Sequence, residues 1–200
     1  MTARRNGLKT IDITLIGMFV ALMAIGANIT TIFPFMVVGG VPITLQTFFC
    51  ILAGALLGSR LGAIAMSVYV LVGLVGAPVF AQFKGGFATV VSPTFGFLLS
   101  FILVAYVTGL IIEKNGSKAS YVVATLIGTA INYVVGTNLM FMAYKMWAAA
   151  PEGFTYTMAW GWMMVPLPKD IILAVCAALI APRINIARKK VMSHQTKHAS

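Results

Sequence analysis

Charge is absent from most of the length of this chain. No Asp, Glu, Lys or Arg occurs between Asp12 and Arg60, between Arg60 and Lys84, between Lys84 and Glu113, between Lys118 and Lys145, or between Asp170 and Arg183. Uncharged apolar runs of this length read as membrane spans, because about 20 apolar residues cross a bilayer as a helix. Only 9% of the 200 residues are charged and 60% are hydrophobic, whereas roughly a quarter of the residues of a soluble domain are charged. The expected fold is therefore an all-α integral membrane protein. The spans use nearly all the length, which leaves one membrane domain over residues 1–190 and a disordered tail over 191–200. The first run is long enough to span and has no clear small-x-small cleavage site, so it reads as a retained helix.

Helix breakers and polar punctuation divide the chain into six spans, at about 13–33, 43–58, 60–76, 90–112, 119–146 and 169–181. Asp12 is placed to cap the first, which Pro34 ends. Along that helix Gly17, Ala21, Ala24 and Asn28 share one face, and small residues at such spacing let another helix approach closely in lipid. Packing within the same bundle is the alternative use of that face. The second and third spans are short, and Pro93 breaks the start of the fourth. The stretch 147–164, with Tyr156, Trp160 and Trp162, reads as an aromatic interfacial connection.

Six spans put both termini on one side, and the positive-inside rule selects it. Of the 14 basic residues, all but Lys84, Lys145 and Lys169 fall on the terminal side, which is therefore cytoplasmic. The loops 36–42 and 80–87 and the segment 147–170 then lie on the outer face. Lys84, Lys169 and Asp170 gather there, away from the cytoplasmic basic collar. The formal net charge of +10 does not imply nucleic acid, because no basic stripe is interleaved with aromatics.

The motifs of other function classes are missing. No Gly-x-x-x-x-Gly-Lys-Ser/Thr loop is present to cradle phosphates, and neither His-Glu-x-x-His nor a paired-cysteine pattern offers a metal site. Cys50 and Cys176 stand inside apolar runs as small hydrophobes. The four acids, Asp12, Glu113, Glu152 and Asp170, lie near span ends, which argues against acid–base catalysis or a proton-coupled carrier at depth. No enzyme, no cofactor and no metal is expected. What remains is a small bundle with an outer polar patch, suited to binding a solute and drawing energy from a partner.

Charges at membrane depth are costly and usually have a partner or a task. Lys169 and Asp170 open the last span, so Asp170 is a candidate for a ligand donor and Lys169 or Lys84 for an anionic or carbonyl group. The competing reading makes Asp170 a first-turn acid that complements the helix dipole, with Lys169 reaching to the interface. Gln46 and Asn132 offer amides to a ligand or to an interhelical bond. Phe80 and Tyr133 serve either as ring platforms or as core.

The runs VPITLQTF at 41–48, LAGALLG at 52–58 and YVLVGLVGAPVFA at 69–81 resemble the BioY family, as do Gly85-Gly86 and Pro93-Thr94. This family comprises the biotin-specific S components of energy-coupling factor (ECF) transporters. The resemblance covers about residues 12–172. It implies six transmembrane helices and capture of biotin outside the cell. It also implies docking onto a transmembrane T component driven by two ABC-type ATPases. By that resemblance Asp170 and Thr94 carry over from the family's motifs. Set against biotin's N–H donors, carbonyl, rings and carboxylate, Gln46, Phe80, Lys84, Asn132, Tyr133 and Lys169 join them as substrate-binding candidates. Gly17 and Ala21 match the family's docking pattern, with Ala24 on the same face. Two positions depart from the family pattern. Phe97 stands where a tyrosine is common, and Lys169 precedes Asp170, whereas members carry a lysine one turn after the aspartate, where this chain has Leu173. An S component for another vitamin and a stand-alone biotin carrier are the neighbouring readings.

Overall fold

A computed structural model describes residues 7–29 and 37–198, with side chains described as far as residue 187. The expected Pro34 stop, Arg4 and Arg5, and the side chains of the basic residues after Arg183 lie outside this set. Seven α-helices are seen among the described residues: α1 Thr10–Asn28, α2 Gln46–Leu57, α3 Ser59–Leu74, α4 Phe95–Lys114, α5 Lys118–Met146, α6 Tyr156–Met164 and α7 Leu167–His198. A two-residue hairpin, β1 Val37–Val38 against β2 Val41–Pro42, is added to the expected all-α fold.

Among the described residues four helices are long and apolar enough to cross a bilayer: α1, α4, α5 and the Leu167–Ala187 part of α7. Their outward faces carry apolar side chains such as Ile13, Leu103, Val134 and Ile172, as a surface bathed in lipid requires. With 12 residues α2 is about 18 Å long, well short of the ~30 Å hydrocarbon core.

That shortness corrects the expected 43–58 span. Residues 43–45 are not helical. They join the hairpin to α2. The hairpin turn is Gly39-Gly40, both at positive φ (56° and 77°), the left-handed pair that a tight β-turn needs. A side chain at Gly39 would also collide with the Trp162 ring, 2.0 Å from where its Cβ would stand.

Other boundaries move for local reasons. The first helix begins at Thr10, not Ile13, so Asp12 sits in its third position and accepts from the Lys9 N–H at 2.9 Å. The fourth begins at Phe95 because Pro93 confines Ser92 to extended backbone, and residues 87–91 form a separate 3-10 turn. Glu113 joins α4 to the start of α3, its carboxylate accepting from Ser59 N and Oγ at 2.8 and 2.7 Å. The aromatic connection is partly helical: Thr155 accepts from Met158 N at 3.2 Å and starts α6. Finally, α7 continues past Pro182 to His198, where a stop near 181 and a disordered tail from 191 were expected. The run after Pro182 is mostly Ala, Arg, Lys, Ile and Met, which permit a helix to propagate.

Helix α4 packs against α5, α3 and α2, and α5 in turn against α7, α2 and α6. Small residues on α5, among them Ala124, Gly128 and Gly136, are buried and permit that proximity. Two apolar clusters result. The larger joins α1–α4 and α7 through residues such as Phe19, Met23, Ile51, Met66 and Val104. The smaller is aromatic and gathers Tyr133, Phe154 and Met163 with Tyr144 and Trp162.

Candidate ligand-binding cavity

Between these clusters, at the end of the bundle where segments 37–45, 76–94 and 144–170 meet, lies a cavity of about 220 Å³. Gln46, Phe80, Lys84, Thr94, Asn132, Tyr133, Lys169 and Asp170 all line it. Five separate parts of the sequence thus deliver the eight substrate-binding candidates to one space.

The charged floor is built at the start of α7. Lys169 Nζ meets Asp170 Oδ1 at 2.6 Å and also donates to the Thr44 carbonyl at 2.6 Å. Tyr133 donates its hydroxyl proton to Asp170 Oδ2 at 2.8 Å. Asp170 is only 6% exposed, so both its oxygens hold charge-assisted partners in a place where an unpaired carboxylate would be costly. Lys169 therefore folds inward, in contrast to the interfacial reading. Its bond to Thr44 ties α7 to the irregular backbone before α2.

An amide layer crosses the bundle above this floor. Asn132 on α5 reaches Thr47 Oγ1 on α2 at 3.3 Å and Ser100 Oγ on α4 at 2.8 Å. Ser100 is also 2.8 Å from the Phe97 carbonyl, so its single proton serves one acceptor at a time. Gln46 donates through Nε2 to Tyr69 Oη at 2.9 Å, and Tyr69 donates to the Val79 carbonyl at 2.8 Å. The interhelical use of both amides is thus present alongside their place in the cavity wall.

The segment after α3 forms the lid. Phe80 N–H donates to the Lys84 carbonyl at 3.0 Å, which closes a turn, while the Phe80 ring stands edge-on to Tyr69 at 5.5 Å. Within the turn Gln82 and Phe83 adopt positive φ, 63° and 53°, a conformation unfavourable for residues other than glycine. Phe83 N–H donates to Asn28 Oδ1 on α1 at 2.6 Å. Lys84 is exposed at the rim, and its ammonium has no hydrogen-bonding or ionic partner among the described residues. Thr94 stands at the residue before α4 without capping it through its side chain, its Oγ1 3.0 Å from Ser92 Oγ.

Gly17, Ala21 and Ala24 are remote from this cavity. Gly17 and Ala21 are exposed, with nothing within 4 Å of a Cβ built on Gly17, and Ala24 is half-buried. Asn28, on the same face, is buried beneath the lid.

The structure adds wall residues that the sequence did not single out, including Thr44, Thr47, Ser92, Phe101, Tyr144 and Met163. Thr44 and Thr47 flank Gln46 in the most distinctive motif, which was a usable signal. Tyr144 and Met163 sit in apolar helices and carried none. Phe97, singled out for its missing hydroxyl, lines the cavity with an apolar ring. Among the described residues no group of His, Cys, Asp and Glu is arranged to hold a metal ion.

A multi-pass helical bundle with a mostly apolar cavity at one end, holding a buried charge pair and two amides, belongs to the class of solute-binding membrane proteins. Within it, this chain belongs to the BioY family, whose model matches residues 1–190. It is 47% identical over 199 residues to the putative biotin transporter BioYB of Bacillus subtilis, with 98% of each chain covered. It is 40% identical over 170 residues to the biotin transporter BioY of Thermotoga maritima, covering 84% of this chain and 92% of that one. The fold is similar to the crystal structure of the S-component for biotin from an ECF-type ABC transporter. That match has a TM-score of 0.73 at 21% identity and covers 91% of this chain and 94% of that one.

Proposed function

We propose that this protein captures biotin at the outer face of the plasma membrane, as the S component of an ECF transporter. It then delivers the vitamin to a transmembrane T component energised by two ABC-type ATPases. The observation that carries the reading is the polarity of the cavity: a paired, buried carboxylate and two amides at depth, apolar rings around them, and a free ammonium at the rim.

Biotin has a matching order of groups. Its ureido ring carries two N–H donors and a carbonyl, its thiophane ring is apolar, and its valerate chain ends in a carboxylate. A buried site must pair the polar atoms or lose affinity. Asp170 and Gln46 accept from the ureido N–H groups, and Lys169 or Asn132 meets the ureido carbonyl. Phe80, Phe97 and Tyr133 cover the rings, and Lys84 at the mouth meets the carboxylate.

In this reading α2 and α3 complete six spans, with both termini cytoplasmic, so the cavity opens outward. The exposed Gly17–Ala21 face of α1 is the docking surface for the T component, because small residues there permit close helix contact. The test is equilibrium binding of labelled biotin to the purified protein in competition with other vitamins. Displacement by unlabelled biotin alone is the expected result. Preferential displacement by a different vitamin would sink the assignment.

A further inference from the structure

The two ends of the Gln46 carboxamide are chemically opposite, a donor and an acceptor, and the residue behind it determines which one faces the cavity. That residue is Tyr69, fully buried on α3 and not itself part of the cavity wall. Its hydroxyl has a single proton, and the Val79 carbonyl, 2.8 Å away, can only accept. The proton is therefore committed to Val79. What Tyr69 Oη presents to Gln46, 2.9 Å away on its other side, is a lone pair, which only the Nε2 end of the amide can satisfy. With Nε2 toward Tyr69 both the Tyr69 lone pair and the Val79 carbonyl are paired, whereas the reversed amide would draw the proton to Oε1 and leave Val79 without it.

The consequence is at Oε1. It has no hydrogen-bonding partner among the described residues, yet it is not a buried unsatisfied atom, so it is reached by the space that Gln46 lines. The other acceptors nearby are engaged. Asp170 has Lys169 on one oxygen and Tyr133 on the other, and Asn132 is held at both ends by Thr47 and Ser100. Of these three residues Gln46 alone has an acceptor with no protein partner among the described residues, while each Asp170 oxygen keeps a lone pair for a second donor.

We infer that Tyr69 is a positioning residue that fixes Gln46 as a hydrogen-bond acceptor, and so selects ligands that present an N–H at that point of the cavity. Without the Tyr69 hydroxyl the amide is free to turn over and offer its NH2 group. The wall would then lose its preference for a donor. A site built to pair a ligand N–H strongly rejects an analogue that lacks it, because the acceptor is left unpaired. The inference rests on the biotin reading above for the identity of that N–H, one of the two ureido nitrogens.

The experiment uses biotin and its two mono-N-methylated ureido analogues against wild-type protein, Gln46→Met and Tyr69→Phe. Wild-type protein is expected to bind one of the two analogues about tenfold or more weakly than biotin. In Gln46→Met biotin itself binds about tenfold more weakly, and the penalty for that methylation disappears. In Tyr69→Phe the same penalty shrinks, while the ring keeps its packing against Phe80 and the melting temperature shows that the bundle is intact. A steric effect of the added methyl would persist unchanged in both variants. That result, or the absence of any penalty in wild-type protein, overturns the inference. Should Tyr69→Phe fail to fold, Tyr69→Met, which also lacks the hydroxyl, takes its place and must show the same smaller penalty, because Gln46→Met tests only that Gln46 accepts. Wild-type protein that does not bind biotin at all overturns the biotin reading, and with it the ligand assigned to Gln46. Biotin binding with an unchanged penalty overturns the role of Tyr69 only.

Discussion

Residues adjacent on a helix point about 100° apart and do not normally meet. Lys169 and Asp170 do, because the long lysine stem folds back from the first turn of α7 to bridge the carboxylate and the Thr44 carbonyl. The pair is asymmetric in exposure, with side chains 28% and 7% accessible, so the aspartate depends on the lysine more than the reverse. Asp170→Ala is expected to weaken biotin binding about tenfold to a hundredfold, the range for a lost hydrogen bond to a charged group. Isothermal titration or labelled-biotin binding checks this, and unchanged affinity would remove Asp170 from the site. Lys84→Ala belongs to a different regime. Its ammonium is solvated, so the loss of affinity should be about tenfold at most and should fade as salt is raised. A loss that is insensitive to ionic strength would argue against contact between Lys84 and a carboxylate.

Among the elements, the 80–84 lid is held by contacts from two helices. Tyr69 on α3 anchors it at Val79, and Asn28 on α1 receives the Phe83 N–H. Two successive left-handed residues, Gln82 and Phe83, persist only where surrounding contacts over-determine the backbone, since each costs about 1–3 kcal/mol. Asn28→Ala removes one such contact without touching the cavity wall. Bound labelled biotin should then leave several-fold faster in a pulse–chase measurement, with a smaller effect on equilibrium affinity because entry is eased as well. A dissociation rate equal to that of wild-type protein would show that the lid is held without Asn28.

For the whole molecule, the cavity and the small-residue face of α1 are separate surfaces, and their functions should separate too. Gly17→Phe with Ala21→Phe is expected to abolish biotin uptake by cells that express the complete transporter. Biotin binding by the isolated chain should stay at the wild-type level. Loss of both activities together would place that face inside the folding core, against its exposure. Labelling of single cysteines in intact cells tests the proposed orientation: a cysteine at position 87, exposed at the start of the 3-10 turn 87–91, should react with an impermeant reagent. One at position 116, in the turn between α4 and α5, should react only after the membrane is opened.

Much of this protein is written in one dimension. Membrane helices are marked by apolar runs long enough to satisfy every backbone group internally, so α1, α4 and α5 are legible within about five residues, and the shorter apolar helix α3 is legible by the same signal. The VPITLQTF run and the charge pair at 169–170 likewise point to the residues that meet in the cavity. What a linear reading lacks is any cost attached to tertiary neighbours. The packing of α6 depends on aromatic partners from α5. The commitment of Asn132 and Gln46 to their partners depends on helices up to 85 positions away. The aspartate could be chosen from sequence because a buried charge is exceptional wherever it occurs. The hydroxyl of Tyr69 could not, because a tyrosine in an apolar helix gains its meaning only from the two groups that share its one proton.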